Sequence, residues 1–160
     1  MRILLVSDLH YTLKQLDWVA SIAGEFDLLV VAGDHLDIAS IVEPDAQIAV
    51  MLEYLARMAA KTTVAACSGN HDLNARNELG ERSARWLAAA RASGVFVDGT
   101  HFRTDGVMVT VCPWWDGPRT REVVDRQLAE DAALVGDPSG GAWYTQIHNR
   151  SSTNVASSAS

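Results

Sequence analysis

A chain of 160 residues, 48% hydrophobic and 21% charged, has the composition of an ordinary globular protein and the length to bury one domain's core. Its 20 Asp and Glu against 13 Lys and Arg give a formal charge of -7, which disfavours a broad electrostatic grip on nucleic acid. The apolar stretch after Met1-Arg2 is too short for a secretory leader, no run approaches membrane-spanning length, and Cys67 and Cys112 adjoin apolar runs as small core residues; a cytoplasmic setting without membrane contact is expected.

In chain order, residues 3–6, 28–32 and 62–66 are short apolar runs rich in Val, Ile and Leu, as expected of parallel strands covered on both faces. Leu13, Leu16, Ala20 and Ala23 mark a helical stripe between the first two. Ile48, Met51, Leu52 and Leu55 mark another, in a helix entered at Pro44-Asp45. Alternation of strand and helix predicts a right-handed βαβαβ unit, whose ligand-binding edge is the carboxyl end of its strands. Residues 83–91 read as a short Ala-rich helix. Residues 95–97, 101–103 and 107–111 then read as strands joined by Asp98-Gly99 and Asp105-Gly106 turns, opening a second, antiparallel sheet. A helix over 120–135, the breaker cluster 136–141 and a strand over 142–147 follow. Residues 1–150 form the expected domain. Residues 151–160, with five serines and no charge, are expected to be a disordered tail.

Three motifs carry the chemistry, each directly after a predicted strand: Asp8-Leu9-His10, Gly33-Asp34-His35-Leu36-Asp37 and Gly69-Asn70-His71-Asp72. Asp8 and His10, two apart on an extended chain, would point the same way and chelate one ion. Asp34 leaves the neighbouring strand after a glycine that permits a sharp turn, and its carboxylate could bridge two ions. Asn70 offers an amide oxygen and His148 an imidazole nitrogen. Oxygen and nitrogen donors without thiolate suit Mn, Fe or Zn. Each motif alone is ordinary turn chemistry. Their order, their strand exits and gaps of 26 and 36 residues between Asp8, Asp34 and Asn70, which a strand and crossover helix can fill, favour a shared site.

These motifs resemble the D-x-H, G-D-x-x-D and G-N-H-D signatures of the calcineurin-like metallophosphoesterase family. The resemblance implies a four-layer αββα sandwich and hydrolysis of a phosphomonoester or phosphodiester by a metal-bridging hydroxide. Asp8, His10 and Asp34 would bind one divalent ion, and Asp34, Asn70 and His148 a second. His71 would stand beside the leaving group with Asp72 holding its ring. The stretch 112–118, with its Trp114-Trp115 pair, is similar to a segment that lines the substrate cleft in some members.

The family's terminal G-H-x-H is missing, so the sandwich is expected to be incomplete on its C-terminal side, with apolar surface and a sheet edge left open. A catalytically inactive remnant that binds metal weakly, or packs against a partner, is the alternative reading. Asp37 is expected behind the ligands, His35 facing solvent, His101 within a hairpin, and Trp18, Trp86 and Trp143 as core or cover residues without a basic patch. A small phosphoester is the expected substrate; the residues do not specify an oligomeric state.

Overall fold

The computed structural model of the protein describes residues 1–135 and the strand at 143–147; His148, the breaker cluster and the serine-rich tail lie outside the described residues. The three predicted parallel strands form as β1 (Ile3–Ser7), β2 (Leu28–Ala32) and β3 (Thr63–Cys67), paired in parallel register with Ser7 opposite Ala32 and Ala32 opposite Cys67. All three therefore end at one level, and the segments that follow them share one rim. β2 is buried on both faces, as its unbroken Leu-Leu-Val-Val-Ala run requires.

The faces sort by the two-residue period of the strand. Leu29, Val31, Val64 and Ala66 pack with α1 (Leu13–Ile22) and α2 (Pro44–Ala59), whose Leu16, Val19, Met51, Leu55 and Met58 are buried against them. Pro44 opens α2, where its missing N–H costs no helical bond. The opposite face of β2 and β3, with Leu28, Val30, Ala65 and Cys67, meets a second sheet through Phe102, Val109 and Val111.

That second sheet consists of β7 (Thr100–Thr104), β8 (Val107–Val111) and β9 (Trp143–Ile147). β7 and β8 are antiparallel across Asp105-Gly106, both at positive φ (50° and 78°), the backbone that a two-residue hairpin with right-handed strand twist demands. β9, in contrast, runs parallel to β8, so the sheet is mixed rather than antiparallel. α3 (Pro118–Val135) covers its outer face, where Thr110 donates to Asp131 at 2.8 Å. Helices, sheet, sheet and helix complete the four layers.

Two expected elements differ. The strand β6 (Phe96–Val97) joins the first sheet, parallel to β3, because Asp98-Gly99 is a crossing between the sheets and not a hairpin. The Ala-rich segment forms a 3₁₀ helix at Arg85–Ser93, after a small hairpin of β4 (Ala75–Arg76) and β5 (Arg82–Ser83). Trp86 is buried as expected, whereas Trp18 is exposed on α1. Cys67 and Cys112 are buried, and burial pushes the Cys112 thiol up to about 12. β1 is an edge strand: Leu4 and Val6 face the helices, but Ile3 (48% exposed) and Leu5 (63%) have no second-sheet cover among the described residues. No helix among them is long and apolar enough to cross a membrane.

Candidate metal site at the strand rim

The segment after β1 does not continue extended. Asp8, His10 and Tyr11 hold φ of 55°, 42° and 53°, and Asp34, after β2, holds 51° behind Gly33 at 72°. Four of the five non-glycine residues at positive φ among the described residues thus sit in these two loops. Such backbone costs of order 1–3 kcal/mol per residue and persists only where the surroundings impose it. Here the imposing contacts are a ladder between the loops: Asp8 N–H donates to Gly33 O (3.3 Å), His10 N–H to Asp34 O (2.9 Å) and Tyr11 N–H to His35 O (2.9 Å).

The product of that strain is a cluster. Ligand atoms of Asp8, His10 and Asp34 lie within 4.8 Å of one another, with Asp8 exposed, His10 half-buried and Asp34 buried. Asp8 and His10 converge through the left-handed turn, not through the strand alternation expected from their spacing. Two carboxylates and an imidazole, gathered without a Lys or Arg among them, are the donor set of a divalent cation site.

The third motif packs directly on Asp34. His71 N–H donates to Asp34 Oδ1 at 3.1 Å, and a Cβ on Gly69 would overlap that carboxylate and lie 2.5 Å from the Asp34 nitrogen. The chain passes so close that only glycine fits. Asn70 follows, exposed, at the start of a short 3₁₀ turn (Asn70–Asp72). The His71 ring stands edge-on to His10 with centroids 4.6 Å apart, and its Nδ1 is buried with no hydrogen-bond partner among the described residues. An orphaned imidazole nitrogen beside three metal-type donors fits a site built to receive a cation and its anionic ligand.

Asp72 does not hold the His71 ring. Successive residues of a 3₁₀ turn point about a third of a circle apart, which sends Asp72 into the core as His71 faces the rim. Its Oδ1 accepts from the His35 N–H (2.9 Å) and Leu36 N–H (3.1 Å); its Oδ2 accepts from Gly69 N–H (2.7 Å) and contacts His35 Nδ1 at 2.9 Å. His35, expected in solvent, is fully buried and packs edge-on against Trp86, whose Nε1–H donates to Asp72 O at 2.9 Å. Burial works against a charged His35, but the charge and hydrogen bond of Asp72 outweigh it and raise its pKa. Burial likewise opposes the Asp72 carboxylate, yet His35 and the backbone donors of Gly69 and Leu36 hold its pKa below the usual range. The pair clamps the second loop to the third. The sequence carried no signal for it beyond an Asp and a His in neighbouring turns.

Other residues brace the same rim. Asp98 Oδ1 accepts from Ser68 N–H at 2.9 Å; desolvation dominates the Asp98 environment and lifts its pKa to about 6 against these Ser68 hydrogen bonds. Ser68 Oγ accepts from Trp114 N–H at 2.9 Å, which brings the 112–118 stretch to the rim. The Asp37 carboxylate accepts from Ala39 N–H at 2.9 Å, closing its own turn, and Asp37 lines a hollow of about 300 Å³ together with His71 and Gln47. His101 lies in β7 and pairs with the buried Asp131 (Nδ1 to Oδ1, 2.7 Å), remote in sequence from all three motifs. His148, the remaining expected ligand, follows β9 outside the described residues.

Among curated proteins none matches the chain. Similarity to solved structures extends to 28 chains. One, a crystal structure 13% identical, aligns with a TM-score of 0.47 over 81% of this chain; the chain spans 64% of that structure's length. The model of the calcineurin-like phosphoesterase family matches residues 1–149, nearly the whole sequence, and the chain belongs to that family.

Proposed function

We propose that the protein hydrolyses a phosphomonoester or phosphodiester at the carboxyl rim of its first sheet, with two divalent ions, Mn, Fe or Zn, as cofactors. The observation that carries this reading is the convergence of Asp8, His10 and Asp34 from two strained loops. Asp8, His10 and Asp34 would hold one ion, and Asp34, Asn70 and His148 the other. When bound, such ions neutralise phosphoryl oxygens and make a water nucleophilic at neutral pH.

The chain's own residues supply the rest. The His71 N–H fixes the Asp34 carboxylate in the position the ligand set needs. The His71 imidazole stands at the mouth of the site as general acid for the departing alkoxide, oriented by His10 and not by Asp72. The His35–Asp72 clamp keeps the second and third loops in register, so that Asn70 and Asp34 keep their relation as substrate enters. A small phosphoester suits the site better than nucleic acid, given the net charge of -7. A cytoplasmic enzyme is the setting that agrees with this reading.

Purified protein supplied with Mn²⁺ should hydrolyse bis(p-nitrophenyl) phosphate, and His71→Ala should lower kcat by roughly 10²–10⁴ with little change in KM. Full turnover by the variant would contradict the role of His71. A folded, monodisperse wild-type protein with no turnover would instead favour the inactive-remnant reading.

A further inference from the structure

The hollow beside His71 and Asp72 does not end there. Its wall includes Leu73 and Asn74, which also line a second hollow of about 450 Å³. Arg76 belongs to that second hollow and to a third, of about 580 Å³, between the β4–β5 hairpin and α3. The three hollows adjoin through shared lining residues, Leu73 and Asn74 and then Arg76, in a track that begins beside His71.

The far end of that track is positive. Arg76, Arg85, Arg119 and Arg126 line it against two carboxylates, Glu78 and Glu122. Four of the chain's 13 basic residues thus meet in one groove of a protein with net charge -7. Arg119 and Arg126 are seven apart on α3 and so share a helix face. Arg76 donates to Gly80 O (2.6 Å) and Arg119 pairs with Glu122 (2.9 Å), but the side chains of Arg85 and Arg126 have neither a hydrogen bond nor an ion pair among the described residues. The first turn of α3 is already satisfied: Glu81 accepts from Arg119 N–H (2.9 Å) and Thr120 N–H (2.7 Å). Anion-binding capacity therefore rests with the guanidinium groups, whose planar forks match phosphate and carboxylate oxygens. Leu79 and Val123, both exposed in the same groove, offer an apolar floor for the carbon skeleton between two charged ends.

We infer that this arginine-lined groove is a distal subsite for a second anionic group, phosphate or carboxylate, on a substrate whose scissile phosphate sits at the metal rim. The inference rests on the phosphoesterase reading and narrows its substrate class to polyanionic esters.

Binding and turnover test it separately. Metal-free protein is titrated calorimetrically with tripolyphosphate and, in parallel, with citrate at low ionic strength. At least one should bind, the tighter of the two naming the preferred group, and the Arg85→Ala/Arg126→Ala variant should bind it at least tenfold more weakly. Lys14→Ala, on α1 away from the groove, should bind as wild type does. In the Mn²⁺-supplied enzyme, thymidine oligonucleotides of two to five residues are compared with and without a terminal 5′-phosphate; that phosphate should lower KM at least tenfold at the length that reaches the groove, an advantage the double variant loses, and indifference is scored only if it holds at every length. Wild-type protein that binds neither anion, or a folded double variant that binds as wild type does, overturns the subsite. So does an active enzyme indifferent to the terminal phosphate. Absence of turnover with anion binding intact would overturn the hydrolytic reading alone.

Discussion

Asp72, fully buried, and Asp98, half-buried, both belong to the rim's framework, and they are stabilised in opposite senses. Asp72 has His35 and three backbone donors and ionises more easily than a free Asp. Asp98 has Ser68, and desolvation wins, so its pKa rises to about 6. The native state then binds the Asp98 proton more tightly than the unfolded chain does, whose carboxyl titrates near 3.8. Its contribution to stability is complete below pH 3.8 and is lost as pH rises through 6. Asp98→Asn keeps an oxygen for Ser68 N–H and removes the charge. In metal-free protein, urea titrations should show its advantage over wild type growing from pH 4 to 7 and flat above, on the order of 2–3 kcal/mol at the plateau. A pH-independent difference would show that Asp98 does not titrate in this range. Neither role was legible in the sequence, because Asp98 read as the first residue of a hairpin turn; only tertiary packing places it beneath Ser68.

The loops between strands and helices decide whether the rim is a site at all. Gly69 brings the third loop onto Asp34 with no room for a side chain. Gly69→Ala should force the Asp34 backbone and carboxylate apart and weaken Mn²⁺ binding by about 10–100-fold, the cost typical of losing a residue that orients a metal ligand. Fluorescence-monitored metal titration reads this, and unchanged affinity would mean that the approach has slack. Strand identity was legible at this scale, since unbroken apolar runs such as residues 28–32 leave a doubly covered strand little alternative. Pairing was less so. Phe96–Val97 is two residues long, and its partner β3 depends on the path of the chain between them, which a Gly after an Asp cannot report. The convergence of Asp8 and His10 was read correctly from their spacing but for the wrong reason. An extended strand would align them, whereas the protein uses positive-φ turns held by the neighbouring loop.

At the scale of the molecule, two stacked sheets between helical layers place every strand exit of the first sheet on one rim, and the surface around that rim is uneven. Along β1, Ile3 and Leu5 lie open where the second sheet does not reach among the described residues. Along the hairpin and α3, arginines from segments distant in sequence meet in one groove. The basic groove was not legible in the sequence, because Arg76, Arg85, Arg119 and Arg126 are dispersed among acidic neighbours and only the packing of α3 against the hairpin unites them.

Strained loops shaped around a cation should take one up once it is supplied. Isothermal titration of Mn²⁺ into the metal-stripped protein tests this most directly, with Asp34→Asn alongside and circular dichroism to confirm that both are folded. The wild-type chain should take up at least one ion saturably, and the variant should lose that uptake. Folded wild-type protein that takes up no divalent ion, or a variant that takes it up undiminished, would contradict a rim shaped around a cation.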